Sequence, residues 1–364
     1  MGEWKRVRLG ELTSIKTGKL NSCAAIEGGL YPFFTCAEFP LRINTAAYDS
    51  ESVLVAGNCT PYVNYYNGKF NAYQRTYIIT AIDGAAINTK WLYFWMRQHI
   101  KNMIALQSGS VEKYFVLSDF TESVVDLPDL PTQRRIAAVL GALDDKIEVN
   151  RKICENLEAQ AQALFKAWFV DFVPFGGKRP EGWKMGKLGD VAAYYDGKIE
   201  ATKLTSTSYF STENMLANRE GAVDAETVPQ SGMVPLCDEG CVLVSNIRPY
   251  FKKIIRVNCD GGHSPDVLCF KAKALELQWY LYRMLWDDAF FAYVMSSTKG
   301  TKMPRGDKGH IMDYPCVLPF GNDIRKFNDT MASFNGRIEV ANRESRALAA
   351  MRDALLPKLM RGEL

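Results

Sequence analysis

The phrase KIEVNRK at residues 146–152 returns as RIEVANR at residues 337–343, with Ile147 and Ile338 standing 191 positions apart. Internal repetition constrains a fold more tightly than local propensity, and this pair anchors a repeat that runs the length of the chain. The segments EWKRVRLGEL (3–12) and GWKMGKLGDV (182–191) align Trp4 with Trp183, Leu9 with Leu188 and Gly10 with Gly189 at a spacing of 179. TGKL (17–20) meets DGKI (196–199) at the same spacing. VLVAGNCTPY (53–62) meets VLVSNIRPY (242–250), pairing Asn58 with Asn246 at 188, and KWLYFWM (90–96) meets QWYLYRM (278–284) at 188. Leu127–Pro128 meets Leu318–Pro319 at 191, which holds to the end of the unit. The drift is what loops of unequal length produce. Two ancestral units follow, about 1–170 and 180–364, each a mixed α/β body leading into a long helix. The Pro- and Gly-rich VPFGGKRPEG (173–182) joins them.

The phrase itself lies on those helices. After Pro131, which suits a first helical turn, apolar or small residues recur at Ile136, Leu140, Leu143, Ile147, Cys154, Leu157, Ala161, Leu164 and Trp168. Steps of three and four form the seam of a coiled coil, and Asn150 occupies a seam position where a polar group fixes register. The second helix begins near Asn322–Asp323, and its seam runs Phe327, Met331, Phe334, Ile338, Ala341, Ser345, Leu348, Arg352, Leu355 and Leu359, with Ser345 and Arg352 weakening the stripe. Helices of about 40 residues are roughly 60 Å long and need a partner for their stripe. The alternative is two amphipathic helices, each packed on its own body. If the helices pair, the connectivity requires them to run antiparallel, because the second body is tied to the end of one and the start of the other. A single chain then imitates a symmetric dimer with two unlike heads. Dimeric DNA readers match half-sites across a duplex dyad, so such a chain suits two unlike half-sites separated by an unread gap.

Composition bounds the rest. The 364 residues suffice for two or more cores, and 47% hydrophobic with 23% charged residues describes a globular protein. A net charge of +3 permits a nucleic-acid partner without arguing for one. MGEWKRVRLG lacks an apolar core of signal-peptide length and carries Arg6 where a myristoylation site needs Ser or Thr. WLYFWM (91–96) is too short to span a membrane. These features lead to the expectation of a soluble, cytoplasmic protein without membrane contact. Nine scattered cysteines read as reduced, buried hydrophobes.

The stretch LPDLPTQRRIAAVLGALDDKIEVNRKICENLEAQAQALFKAWFVDF (127–172) resembles the first conserved helical region of type I restriction–modification specificity subunits. RPEGWKMGKLGDV, YFSTENM and KMPRGD resemble parts of that family's target-recognition domains, in the family's order along the whole chain. The second helix lacks the QRR and WF pairs of the first. The resemblance implies an α+β fold with two mixed α/β target-recognition domains in pseudo-twofold arrangement, separated by two long antiparallel helices forming a coiled coil. The expected divisions are a first recognition domain at 1–130, helix one at 131–172, a linker at 173–182, a second recognition domain at 183–320 and helix two at 321–364. It further implies a subunit without catalysis or cofactor of its own. Its partners would be double-stranded DNA, two modification subunits that carry S-adenosylmethionine and methylate adenine N6, and restriction subunits that use ATP and Mg.

Three stretches compete as enzyme signals. NCTPY and NIRPY are similar to an amino-methyltransferase motif but hold one proline, three residues after the Asn. Cys237, Cys241, Cys259 and His263 have zinc-ligand types, yet Cys241 opens an apolar strand and the first unit has Ser52 in its place. PDVLCFK (265–271) lacks the second acid that a nuclease needs, and His99, His263 and His310 form no cluster in the sequence. No metal is expected.

DNA contact needs cations for phosphate, and Arg, Lys, Asn, Gln, Ser or Thr for base edges. In the second unit the Gly-rich STKGTKMPRGDKGH (297–310) offers Lys299, Lys302, Arg305 and Lys308 with little compensating acid, and NIRPYFKK adds Asn246, Arg248, Tyr250, Lys252 and Lys253. The first unit offers Gln107, Ser108, Ser110 and Lys113, with Asn58, Thr60, Tyr62, Gln74 and Arg75. The aromatic runs WLYFW and WYLYRMLW read as core-packing helices. Two functions of other classes compete with DNA recognition: a stand-alone DNA adenine methyltransferase, and a coiled-coil scaffold that does not touch DNA.

Overall fold

The computed structural model describes residues 4–58, 61–105, 114–298 and 303–363. The chain divides into two compact units, one of residues 1–151 with 342–364 and the other of residues 152–341. Both divisions fall inside the long helices, Leu130–Phe169 and Asn322–Met360. Each unit therefore owns a head, the opening part of one helix or its continuation, and the matching part of the other.

The first head is built on a six-stranded sheet in the order Thr13–Thr17, Thr76–Ala81, Tyr48–Ala56, Val63–Ala72, Tyr31–Phe34, Leu41–Ile43. A separate pair joins Lys5–Arg8 to Val124–Leu127. The apolar run VLVA at 53–56 is buried on both faces because alternate residues of a strand point opposite ways. Val53 and Val55 enter the core beneath helix Thr89–Ala105, while Leu54 joins Phe34, Phe70 and Ile78 on the other side. Trp91, Leu92, Phe94 and Met96 of that helix are fully buried, so its rings pack and do not stack on bases.

The second head repeats this frame in its own unit. Ala192–Tyr194, Val267–Ala272, Val242–Ser245 and Ile254–Arg256 form one four-stranded sheet, and Lys198–Glu200, Met233–Cys237, Gly261–His263 and Tyr209–Phe210 another. Registers coincide with the aligned sequence. Lys5 faces Leu127 as Lys184 faces Leu318, Thr13 faces Ala81 as Ala192 faces Ala272, and Val53 faces Ile79 as Val242 faces Phe270. The parallel pair Phe34↔Ala72 likewise has its counterpart in Phe210↔His263. Val242 and Val244 enter one core and Leu243 the other, repeating Val53, Val55 and Leu54.

Within each unit the helix segments run antiparallel. In the first, Asp144 accepts from Arg352 at 2.7 Å and Asn150 donates to Glu344 at 2.8 Å. In the second, Cys154 lies 3.9 Å from the Ile338 carbonyl, and Phe169 meets Phe327 edge to face at 4.8 Å. Of the seam residues, Ile136, Leu140, Leu157, Phe327, Met331 and Ile338 are buried, and Leu143, Ile147, Leu164, Phe334, Leu348 and Leu355 are half-buried. Buried Asn150 acts as the register-fixing polar residue, and its amide with Lys146 holds the Glu344 carboxyl below its usual range. Arg352 does not weaken the stripe. Its guanidinium is largely enclosed and paired with Asp144 and Asp353, which raises its pKa against burial.

The missing QRR signature has a physical counterpart. Buried Gln133 donates to the carbonyls of Pro128 and Ala86 at 2.9 and 3.2 Å and accepts from the Asn88 amide at 2.7 Å. The equivalent residue 191 positions on is Ile324, which meets its head by apolar packing alone. Gln133→Ala should therefore destabilise the first unit by about 2 kcal/mol, since one buried and two half-buried backbone groups lose a partner at once. Chemical denaturation followed by tryptophan fluorescence would measure it. No helix among the described residues is long and apolar enough to cross a membrane.

Candidate nucleic-acid interface

In the second unit, strand Val242–Ser245 hands the chain to a knuckle whose shape is set by backbone. Arg248 and Lys252 both hold positive φ, 50° each, around the single turn Pro249–Phe251. Non-glycine residues in this region are strained and persist only where their surroundings fix them. Here Arg248 N–H donates to the Pro304 carbonyl at 2.9 Å, Ser245 N–H to Lys253 at 3.0 Å and Arg219 N–H to Lys252 at 3.1 Å. Ile247 also bridges Arg305, so the NIRPYFKK and KMPRGD segments meet. Tyr250 and Phe251 stand out from the knuckle, 47% and 38% exposed.

The cations there are less free than their spacing implies. Lys252 pairs with Asp288 at 2.7 Å, and Arg219 pairs with the same carboxylate. Lys252 and Arg219 together hold Asp288 below the usual carboxylate range. Lys253 Nζ donates to the Thr212 carbonyl, and burial pushes its pKa down. Arg305 is not short of compensating acid, because it pairs with Asp266 at 2.8 Å. Asn246 N–H donates to the Asp266 carbonyl at 2.9 Å, so Asp266 ties both segments together. Lys308 is exposed, with its ammonium 5.8 Å from the Tyr194 ring centre. Lys299 and Lys302 lie outside the described residues. Sequence reasoning missed Arg219 and Asp288; neither belongs to a basic run, and only folding brings them to the knuckle.

In the first unit, Asn58 and Tyr62 are half-buried and Gln74 and Arg75 exposed, while Thr60, Gln107, Ser108, Ser110 and Lys113 lie outside the described residues. Asn58 and Asn246, equivalent in the repeat, each bury a side-chain oxygen with no hydrogen-bond partner among the described residues.

Each unit also has a pocket at the same corner of its sheet. The first, about 270 Å3, is lined by Thr17, Gly57, Gln74, Arg75, Tyr77 and Phe115 among others. The second, about 230 Å3, includes Tyr194, Asp196, Lys198, His263, Pro265 and Lys308. Thr17 and Asp196 are equivalent, as are Tyr77 and Leu268, where the neighbouring strand begins. Arg75 corresponds to Asp266, which pairs with Arg305, so an arginine in one unit is replaced by an ion pair in the other.

Among the described residues no group of three His, Cys, Asp or Glu is placed to hold a metal ion. Cys237, Cys241 and Cys269 sit together in an apolar core. His263 is buried, and that burial lowers its pKa, keeping the ring neutral.

Residues 1–159 match the family model for the type I restriction modification DNA specificity domain. The chain is 29% identical to the EcoDI specificity subunit of Escherichia coli, over all of this chain and 89% of that protein. It is 26% identical to the MjaIX specificity subunit of Methanocaldococcus jannaschii, over 74% of this chain and 66% of that one. A crystal structure of a type I S subunit from M. genitalium shares the fold, with a TM-score of 0.64 at 14% identity, covering 98% of this chain and 96% of the other.

Proposed function

We propose that the chain, similar to type I restriction–modification specificity subunits over residues 1–159 and to one such subunit along its whole length, is itself a specificity subunit and binds an asymmetric bipartite DNA target, one recognition domain to each half-site. Residues 1–130 and 183–320 are the recognition domains, 173–182 the linker, and the helical regions 131–172 and 321–364 set the gap and dock two modification subunits. Catalysis belongs to those partners, in the cytoplasm. S-adenosylmethionine is bound by the modification subunits for adenine methylation, and ATP with Mg by restriction subunits.

The observation that carries the reading is one scaffold built twice in matching register with unlike loops at equivalent places. A repeat retained for stability alone has no reason to keep its registers while exchanging Arg75 for the Asp266–Arg305 pair at one corner. Arg305, Lys308 and Lys302 are the phosphate contacts of the second half-site, and Lys299, Lys252, Lys253 and Arg248 also serve it. Asn246 and Tyr250 face the bases. Asn58, Thr60, Tyr62, Gln74, Arg75, Ser108, Ser110 and Lys113 serve the first.

Titration of target DNA with the chain and its modification subunit, between about 50 and 200 mM salt, tests this. Arg305→Ala and Lys308→Ala should each lower the salt slope by about one and affinity roughly three- to tenfold, with assembly unchanged. Affinity that ignores salt would favour a scaffold that does not touch DNA. Methyl transfer from S-adenosylmethionine by the chain alone would favour a stand-alone methyltransferase.

A further inference from the structure

We infer that the two corner pockets are where the half-sites are read, and that His263 in the second accepts a hydrogen bond from the exocyclic amino group of an adenine or cytosine. This rests on the chain being a DNA specificity subunit and extends that reading to single atoms.

The His263 side chain is only 4% exposed, yet it lines the pocket. Its Nδ1 lies 2.9 Å from the Ser264 carbonyl, which can only accept, so Nδ1 carries the proton. The neutral ring then keeps a lone pair at Nε2, and that atom, itself buried, has no hydrogen-bond partner among the described residues. Ser264 Oγ beside it is unpartnered in the same way. Buried acceptors are rarely left unmade in a folded chain, so a group entering the pocket supplies the donor.

The repeat shows that this acceptor is not required by the fold. Phe210↔His263 occupies the register that Phe34↔Ala72 occupies in the first unit, and the same strand pairing forms there around alanine. The imidazole is therefore an addition to a scaffold that closes without it. Its neighbourhood identifies what enters. Lys308 lines the pocket, and Asp266, three residues from His263, holds both Arg305 and the Asn246 amide. Lys308 of the proposed phosphate contacts thus lies on the cavity itself, and Arg305 is tied to it through Asp266, next to the lining residues Pro265 and Val267.

In the major groove adenine offers its N6 amino group and cytosine its N4 amino group as donors, whereas guanine and thymine offer acceptors. A neutral imidazole acceptor therefore separates A and C from G and T. In the first pocket the matching corner carries Arg75 and Gln74, both exposed, and a guanidinium fork there selects the acceptors of guanine.

The test uses the full chain co-expressed with its modification subunit in a host without other DNA methylation, with methylated positions read by single-molecule sequencing. Wild type should yield one bipartite motif. His263→Ala should make a single A or C position in one half degenerate, with at least a tenfold loss of discrimination. His263→Gln, which keeps an acceptor, should retain the preference. Arg75→Ala should relax a G in the other half. A second measurement needs no variant to tolerate substitution at the pocket: affinity of the wild-type complex for duplexes lacking the amino group at each A or C in turn. One position in the second half-site should cost at least tenfold, and the His263→Ala complex, where it assembles, should be indifferent to it. If no amino-group deletion in that half-site affects wild-type binding, or if His263→Ala methylates an unchanged motif, the inference is overturned. Absence of any bipartite motif from wild type would instead overturn the specificity-subunit reading beneath it.

Discussion

Inserting one base pair into the unread gap of the target is expected to lower affinity at least ~100-fold for the chain assembled with its modification subunit. The insertion moves one half-site by about 3.4 Å and rotates it by roughly 35° relative to the other. A spacer that sets the gap, as proposed, resists that displacement. Leu130–Phe169 and Asn322–Met360 are continuous hydrogen-bonded helices, and Pro357 falls within the last turn of the second, where a kink displaces little. Within the first unit the helix segments are pinned by Asn150 to Glu344 and Arg352 to Asp144, so sliding one segment along the other there breaks half-buried polar contacts. Unless the DNA is distorted to restore the spacing, contacts in one half-site are lost at about 1–3 kcal/mol per base pair. Two lost base pairs already account for the expected effect. Electrophoretic titration of duplexes with the native gap and with one pair added or removed would decide it. Equal affinity for all three would show that the helices do not set the gap.

Glu158→Ala is expected to destabilise the second unit by about 4 kcal/mol, more than any substitution of an exposed charge. Arg283 of helix Gln278–Trp286 has a side chain only 2% exposed and donates to Glu158 at 2.5 Å. Removing the carboxylate leaves a buried guanidinium without its counter-charge, which costs more than the pair contributes. The rings of Tyr282 and Trp286, at 5.0 and 5.9 Å, soften but do not replace that charge. Glu158→Gln, which keeps an acceptor, should lose about half as much. The double variant Glu158→Leu/Arg283→Met should recover most of the loss, because an apolar pair needs no desolvation. Urea denaturation of the four proteins checks all three statements. A Glu158→Ala midpoint equal to wild type would mean that the ion pair is dispensable.

Arg283 also marks a limit on what the repeat could reveal. The alignment places it opposite Trp95, and both are buried. One unit fills the position with an indole and the other with a charge, and nothing local to QWYLYRM announces that Glu158, 125 positions earlier, neutralises it. The same holds at Gln133 and Ile324, where equivalent helix starts are seated by three hydrogen bonds in one case and by packing in the other.

The candidate interface was legible in the same uneven way. The loops that carry Asn246, Arg248 and Arg305 are found from composition, because Gly, Pro and basic residues between apolar strands have few other uses. Their charge balance is not. Asp266 and Asp288 were invisible as partners until the chain closed on itself, and they turn an apparently free basic loop into a braced one.

By itself the sequence determined the duplicated plan, the strands around VLV and the seam of each helix, because periodicity and repetition survive in one dimension. The tertiary structure alone decided which strands pair, that the helix segments in each unit oppose one another through Asn150 and Arg352, and that His263 keeps an unanswered acceptor at a corner where the first unit has Ala72. Those are statements about atoms from residues far apart in the chain, and their energies depend on burial and on partners that only the closed fold supplies.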